Sequence, residues 1–274
     1  MLYVLRHRPS PPFHRHAQDV GNGSYYLAKN AIPPALLARL EEQLKKDRDE
    51  PRNYGYRASV LKRVLKFELY APGPNGEVAI YRWGQHAAEY RKGIVITGVY
   101  KEVLDWVNNT TGSLHNHVIV AFYMDGYKHY APPHQDKQAG VSGSGAKDME
   151  MGTSFEVLSI GTPRSFAISD LEGKVRWSQP LDHGSLLHVT GETNKLYKHG
   201  VPKDPDWVEG PLGPRISIIA RTVKTWTPEQ LDDLITTAVA SPATVAEVVS
   251  DQPESIKEAL DVVAFGAAFK SVSA

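Results

Sequence analysis

"HVIVAFYMDG", residues 117–126, marks a change in the character of this chain. A run of β-branched and aromatic side chains stops at the turn signal Asp125–Gly126, which reads as a strand. More segments of the same kind follow: "SFEVLSIG" (154–161), "RSFAIS" (164–169), "KVRWSQPL" (174–181), "GSLLHVTG" (184–191) and "RISIIARTVK" (215–224). Short strands punctuated by Gly, Pro, Asp or Asn predict a sandwich, jelly roll or barrel. Between Gln138 and Gly152 the stretch "QAGVSGSGAKDMEMG" reads as a mobile loop.

Upstream the pattern differs. Residues 1–30 carry Arg, His and Pro without periodicity, and the expectation is an irregular arm. Leu36, Leu37, Leu40 and Leu44 stand at helical spacing behind two prolines. Tyr100, Val103, Leu104 and Val107 predict a second amphipathic helix ending at Asn108–Asn109. Residues 54–84 suggest strand, loop and strand around "APGPNGE". Beyond 224, Thr227, Pro228 and Gln230 form an N-cap, first-turn and capping-box signature, so 225–274 is expected to be a helical extension.

Composition bounds the function. The chain has 274 residues, 41% hydrophobic and 23% charged, as a soluble protein with a substantial core would have. Formal charge is zero, which argues against a non-specific nucleic-acid coat. Cysteine is absent, excluding disulfides, thiolate ligands and a cysteine nucleophile. No apolar run reaches membrane-spanning length and the first twenty residues do not resemble a signal peptide. A soluble intracellular monomer, cytoplasmic or nuclear, is the expectation.

"APPHQDKQAG" (131–140) holds His134 and Asp136 two residues apart. On a strand such a pair faces one side, offering an imidazole nitrogen and a carboxylate oxygen to one cation. A third ligand from a distant histidine would complete the facial triad of non-haem Fe(II) oxygenases. His183, His188 and His199 are all candidates, and the spacing does not choose among them. His199 precedes Gly200, which permits close backbone approach. In "PRISIIAR", Arg215, Ser217, Ile219 and Arg221 share one strand face. Two arginines on one face of an apolar strand call for anionic partners, and a guanidinium suits a carboxylate.

With these segments in view, the chain resembles the AlkB-like 2-oxoglutarate- and Fe(II)-dependent dioxygenases. The resemblance runs through "FYMDGYKHYAPPHQD", "EVLSIGTPRSF", "GSLLHVTGETNKLYKHGVP" and "PRISIIAR", about residues 115–224. It implies a mainly β protein with flanking helices (α+β): a double-stranded β-helix, or jelly roll, core. Domain 1–224 would carry N-terminal substrate-lid elements over about 25–114, followed by the C-terminal helical extension. The resemblance makes His134, Asp136 and His199 the iron ligands. Arg215 would pair with the distal carboxylate of 2-oxoglutarate, and Arg221 would sit near its other carboxylate and Asp136. Tyr123 and Ser217 would also face the cosubstrate. Ile160, Gly161, Arg164 and Phe166 match a recurring pattern and read as structural. The implied cofactors are Fe(II), 2-oxoglutarate and O2, and the implied products are succinate, CO2 and an oxidised substrate.

The sequence also departs from that family. Ala121 stands where asparagine is common, the segment through Ala131–Pro132–Pro133 is longer, and Lys137 and Gln138 replace acidic residues after Asp136. Gln138 can still hydrogen-bond a base edge. "YGYRASVLKRVLKFELY" (54–70) interleaves cations with aromatics, and Tyr81, Arg82 and Trp83 extend the theme. Such side chains meet phosphates and stack on single-stranded or flipped-out bases. The expected reaction is therefore oxidation or oxidative demethylation of a modified base in DNA or RNA, the chemistry of DNA repair. Its alternatives are hydroxylation of an unmodified base, a protein side chain or a small metabolite, and a non-catalytic jelly-roll binding module.

Overall fold

Leu36, Leu40 and Leu44 bury one stripe of helix α1 (Pro34–Asp49), and Tyr100, Val103, Leu104 and Val107 bury the matching stripe of α2 (Gly98–Thr111). The protein is described here by a computed structural model. It describes residues 18–19, 23–49, 57–58, 65–82, 90–92, 94–136, 153–223, 225–227 and 229–230; at 18–19, 57–58, 65–66, 78–82, 90–92 and 226 only the backbone is described. α2 runs past Asn108 until Gly112, whose φ of 75° is a conformation that glycine adopts without strain, and the Gly112 N–H closes on Asn108 O. Asp47, buried on α1, accepts from Tyr100 Oη of α2 at 2.5 Å and from Gln43 Nε2 at 2.8 Å. That pairing lets a carboxylate sit under two helices without an unsatisfied oxygen.

In chain order the strands are β1 (Gln18–Asp19), β2 (Ser24–Ala28), β3 (Arg57–Ala58), β4 (Leu65–Tyr70), β5 (Val78–Arg82), β6 (Tyr90–Lys92), β7 (Ile94–Val95), β8 (His117–Tyr123), β9 (Ala131–His134), β10 (Phe155–Ile160), β11 (Arg164–Ser169), β12 (Val175–Leu181), β13 (Ser185–Val189), β14 (Lys198–Val201), β15 (Arg215–Arg221) and β16 (Thr225–Trp226). A short helix, α3 (Gly191–Leu196), precedes β14. Among the described residues the large sheet has the order β1-β2-β13-β10-β15-β8-β4-β3, with β7 parallel to β4. A second sheet has the order β12-β11-β14-β9, and a third β16-β5-β6.

Alternation sorts the large sheet into two faces. Val118, Val120, Phe122, Leu158, Ile160, Leu186, Ile216 and Ile218 pack with α1 and α2 in one core. Tyr25, Ala121, Tyr123, Phe155, Val157, Leu187 and Val189 form a second core with Phe166, Ile168, Leu181 and Val201 of the smaller sheet. Burying each such large side chain is worth roughly 1.5–3 kcal/mol, so both cores stabilise the layers between which the candidate site lies. This is the jelly-roll arrangement expected, without a closed barrel.

The strands expected on either side of "APGPNGE" are present, and among the described residues β4 joins β8 while β5 joins β6 and β16. Two expectations change. Ser24–Ala28, assigned to an irregular arm, is a strand paired with β13. Thr225–Trp226, expected to begin the helical extension, is that short strand β16. The chain separates into two compact units, Met1–Trp226 and Thr227–Ala274. In the second, Thr227 N–H donates to Gln230 Oε1 at 3.0 Å and Gln230 N–H to Thr227 Oγ1 at 3.3 Å, the reciprocal capping box. Helicity of the rest, the arm before residue 18 and the loop after Gln138 lie outside the described residues. Among the described residues no helix is long and apolar enough to cross a membrane.

Candidate metal and cosubstrate site

β14 pairs antiparallel with β9 so that His199 stands opposite His134. Gly200 makes that approach possible: a Cβ there would lie 2.5 Å from Ala131 O. β9 ends at His134, so Asp136 is not on the strand as the i, i+2 reading required. Just past the strand, Gln135 Nε2 donates to Lys195 O of α3 at 2.7 Å. Asp136 still converges, with Oδ1 3.8 Å from His134 Nε2 and Oδ2 3.9 Å from His199 Nε2. One ligand atom from each of the three residues lies within 4.8 Å of the others.

The two imidazoles differ in setting. The His134 side chain is 46% exposed. Its Nδ1–H donates to Pro132 O at 2.7 Å, which leaves the lone pair on Nε2, toward Asp136. His199 is buried between Phe155, ring centroid 4.4 Å away, and Phe166, nearly parallel at 5.9 Å. Burial, then the neighbouring His134, push its pKa down to about 3 against the opposing pull of Asp136. It is therefore neutral and able to ligate at physiological pH. Two nitrogens and a carboxylate oxygen suit a first-row divalent ion such as Fe(II).

Beside this cluster, β15 turns Arg215, Ser217 and Arg221 toward the second core, all buried. Arg215 Nε donates to Ser159 Oγ at 2.9 Å, whereas Nη1 and Nη2 have no partner among the described residues. Burial lowers its pKa only to about 10, so it remains a cation. An unpaired guanidinium in an apolar interior costs several kcal/mol unless an anion meets it. Tyr123 lies beside it, 5.5 Å from ring centroid to guanidinium carbon, with Ser217 near its hydroxyl. Arg221 Nη1 lies 3.3 Å from Asp136 Oδ1, linking the cluster to the arginine strand. The residues fit a small dicarboxylate next to a metal: one fixed cation with two unused donors, a tyrosine hydroxyl and a serine.

Other sequence candidates are elsewhere. His183 Nδ1 accepts from Gly161 N–H at 3.1 Å, and His188 pairs with Glu156 on the helix-facing side of the sheet. Arg164 is structural as expected, donating to Asp125 O, Gly126 O and Pro202 O. Phe67 and Tyr70, from the basic-aromatic stretch, are buried. The side chains of Tyr81 and Arg82, and all of Trp83 and Gln138, lie outside the described residues. Sequence reading missed Phe155 and Ser159, whose alternation along β10 places them on the face of Arg215, and Glu68 and His117, described below.

Fold and site together define a non-haem iron oxygenase with a 2-oxo acid cosubstrate. The chain belongs to the 2OG-Fe(II) oxygenase superfamily, whose profile matches residues 25–221. It is accordingly a dioxygenase with Fe(II), 2-oxoglutarate and O2 as its cofactors. Its fold is similar to that of OsALKBH1, with a TM-score of 0.52 at 15% identity over 76% of this chain and 100% of that one. A Pseudomonas putida prolyl-4-hydroxylase aligns with a TM-score of 0.42 at 12% identity over 73% and 92%. No curated protein matches by sequence.

Proposed function

We propose that His134, Asp136 and His199 hold the Fe(II), that Arg215 grips the distal carboxylate of 2-oxoglutarate, and that the enzyme oxidises or oxidatively demethylates a modified base in DNA or RNA. The observation that carries the chemistry is Arg215, a buried cation with two unengaged donors on the strand beside the triad. Bound iron supplies the O2-dependent cleavage of 2-oxoglutarate to succinate and CO2 with oxidation of a substrate C–H bond. The chain's own share is positional. Pro132 O fixes the His134 tautomer, Phe155 and Phe166 hold the His199 ring, and Ser159 aims the Arg215 fork. Tyr123 and Ser217 offer hydroxyls to the same ligand, and Arg221 restrains Asp136. The exposed edge of His134 leaves one side of the cluster open to substrate.

The nucleic-acid reading is supported by the sequence, in which Tyr54, Tyr56, Arg57, Lys62, Arg63 and Lys66, with Tyr81, Arg82, Trp83 and Gln138, combine rings that stack on bases with cations that meet phosphates. Loss of a hydroxylated N-methyl group would release formaldehyde. The test is incubation with Fe(II), 2-oxoglutarate and N-methylated single-stranded DNA and RNA. Formaldehyde equal to succinate is expected, and none from Asp136→Ala. Full turnover by that variant contradicts the metal assignment. A second reading, hydroxylation of an unmodified base, a protein side chain or a small metabolite, is favoured by Lys137–Gln138, which offer no negative charge to a cationic base. It predicts succinate without formaldehyde on every methylated oligonucleotide.

A further inference from the structure

We propose that Glu68, acting through His117 and by its own contact with Arg221, is a positioning residue that sets the orientation of Arg221 and thereby of Asp136. The inference rests on Asp136 being a metal ligand. Four side chains carry it, from β4, β8, β15 and the segment after β9. Arg221 Nε–H donates to His117 Nδ1 at 3.0 Å. An imidazole nitrogen that accepts a hydrogen bond carries no proton, so the neutral ring holds its proton on Nε2. That atom lies 3.3 Å from Glu68 Oε2 in a charge contact rather than an aligned hydrogen bond, and the same Oε2 lies 3.9 Å from Arg221 Nη2. An ionised carboxylate only accepts, and it stabilises this tautomer over the other.

The consequence passes along the row. With Nδ1 bare, the guanidinium is held by its Nε, and Nη1 faces Asp136 Oδ1 at 3.3 Å. With the opposite tautomer, Nδ1–H and Nε–H would be two donors face to face, and Arg221 would have to turn. Asp136 lies beyond the end of β9, so it lacks the strand ladder that fixes His134. All three members behind it are buried: Glu68 is 8% exposed, His117 0% and Arg221 1%. In such a setting misdirected donors are costly, and a carboxylate behind Arg221 can decide where a ligand oxygen sits.

A purely charge-balancing role for Glu68 makes a different prediction. Glutamine at 68 keeps an acceptor for His117 Nε2–H but has no charge; alanine has neither. The probe is Co(II) alone, titrated into metal-free protein and followed by its visible absorption. Glu68→Ala should weaken Co(II) binding about tenfold, and Glu68→Gln should stay within about threefold of wild type. Glu156→Ala, a buried carboxylate on the other face of the sheet, should leave Co(II) affinity unchanged. Asp136→Ala reports on the parent reading: unchanged affinity there removes the metal site and the positioning role with it. Loss with Asp136→Ala but none with Glu68→Ala overturns the positioning role alone, as does a Gln variant as weak as Ala. Should Glu68→Ala fail to fold, 15N NMR of wild type labelled at histidine and arginine reads the tautomer directly, with His117 assigned through its coupling to Arg221 Nε. Protonation at Nε2 is expected; protonation at Nδ1 overturns the proposal.

Discussion

Glu156 and Glu68 are both buried in the large sheet beside histidines, on opposite faces, and their surroundings end differently. On the helix-facing side, Glu156 Oε1 accepts from Ser113 Oγ at 2.9 Å and meets His188 Nδ1 at 2.7 Å, while Oε2 meets His115 Nε2. His115 Nδ1 in turn lies 3.1 Å from Thr222 Oγ1. Among the described residues each of these carboxylate oxygens faces a histidine. On the site-facing side, the row from Glu68 runs through His117 and Arg221 to Asp136, and nearby Arg215 keeps two donors without a partner among the described residues. Buried polar groups are ordinarily satisfied, so a closed network reads as architecture and an open one as a place for a ligand.

The largest expected effect separating the faces is at Arg215. Arg215→Ala should raise the KM for 2-oxoglutarate about a hundredfold, the scale of losing one partner of a buried charge pair. Co(II) affinity without cosubstrate should not move, because Arg215 does not touch the triad. A KM equal to wild type in steady-state succinate assays would remove Arg215 from the site and erase the distinction drawn here.

The smaller effect lies on the closed face and falls on stability. Burial raises the Glu156 pKa, but hydrogen bonds from His115 and His188 outweigh it and hold the group at about 2 instead of 4.5. A folded pKa below the unfolded one means stabilisation that is complete above the unfolded value and lost as pH falls toward 2. The difference corresponds to roughly 3 kcal/mol. Glu156→Gln should therefore unfold at lower urea concentration at neutral pH, with a flatter decline between about pH 5 and 2. Its KM for 2-oxoglutarate should be unchanged. Parallel pH profiles for the two proteins would show that Glu156 does not carry this term.

These two faces were unequally legible in the sequence. Alternation in "RISIIAR" placed Arg215, Ser217 and Arg221 together because a strand's period is two whatever it pairs with. Leucine spacing gave α1, and the stripe from Tyr100 to Val107 gave α2. Which strands are neighbours was not legible, since β10 joins β13 and β15 through pairings set by the whole fold. Nothing in "SFEVLSIG" itself marks Glu156 as buried; those pairings bring His188 across from it and His115 onto it. β2 was hidden because "SYYLA" follows a proline- and histidine-rich arm and gains its place from β13. The choice of His199 over His183 and His188 came from family resemblance, and the geometry that singles it out, Gly200 against Ala131 O, is a long-range contact.

The most direct measurement of the central claim is a crystal structure with Mn(II) in place of iron and 2-oxoglutarate bound, grown without oxygen. The metal is expected on His134, Asp136 and His199, with the distal carboxylate on Nη1 and Nη2 of Arg215. Metal bound elsewhere, or a carboxylate that leaves Arg215 unengaged, would contradict it.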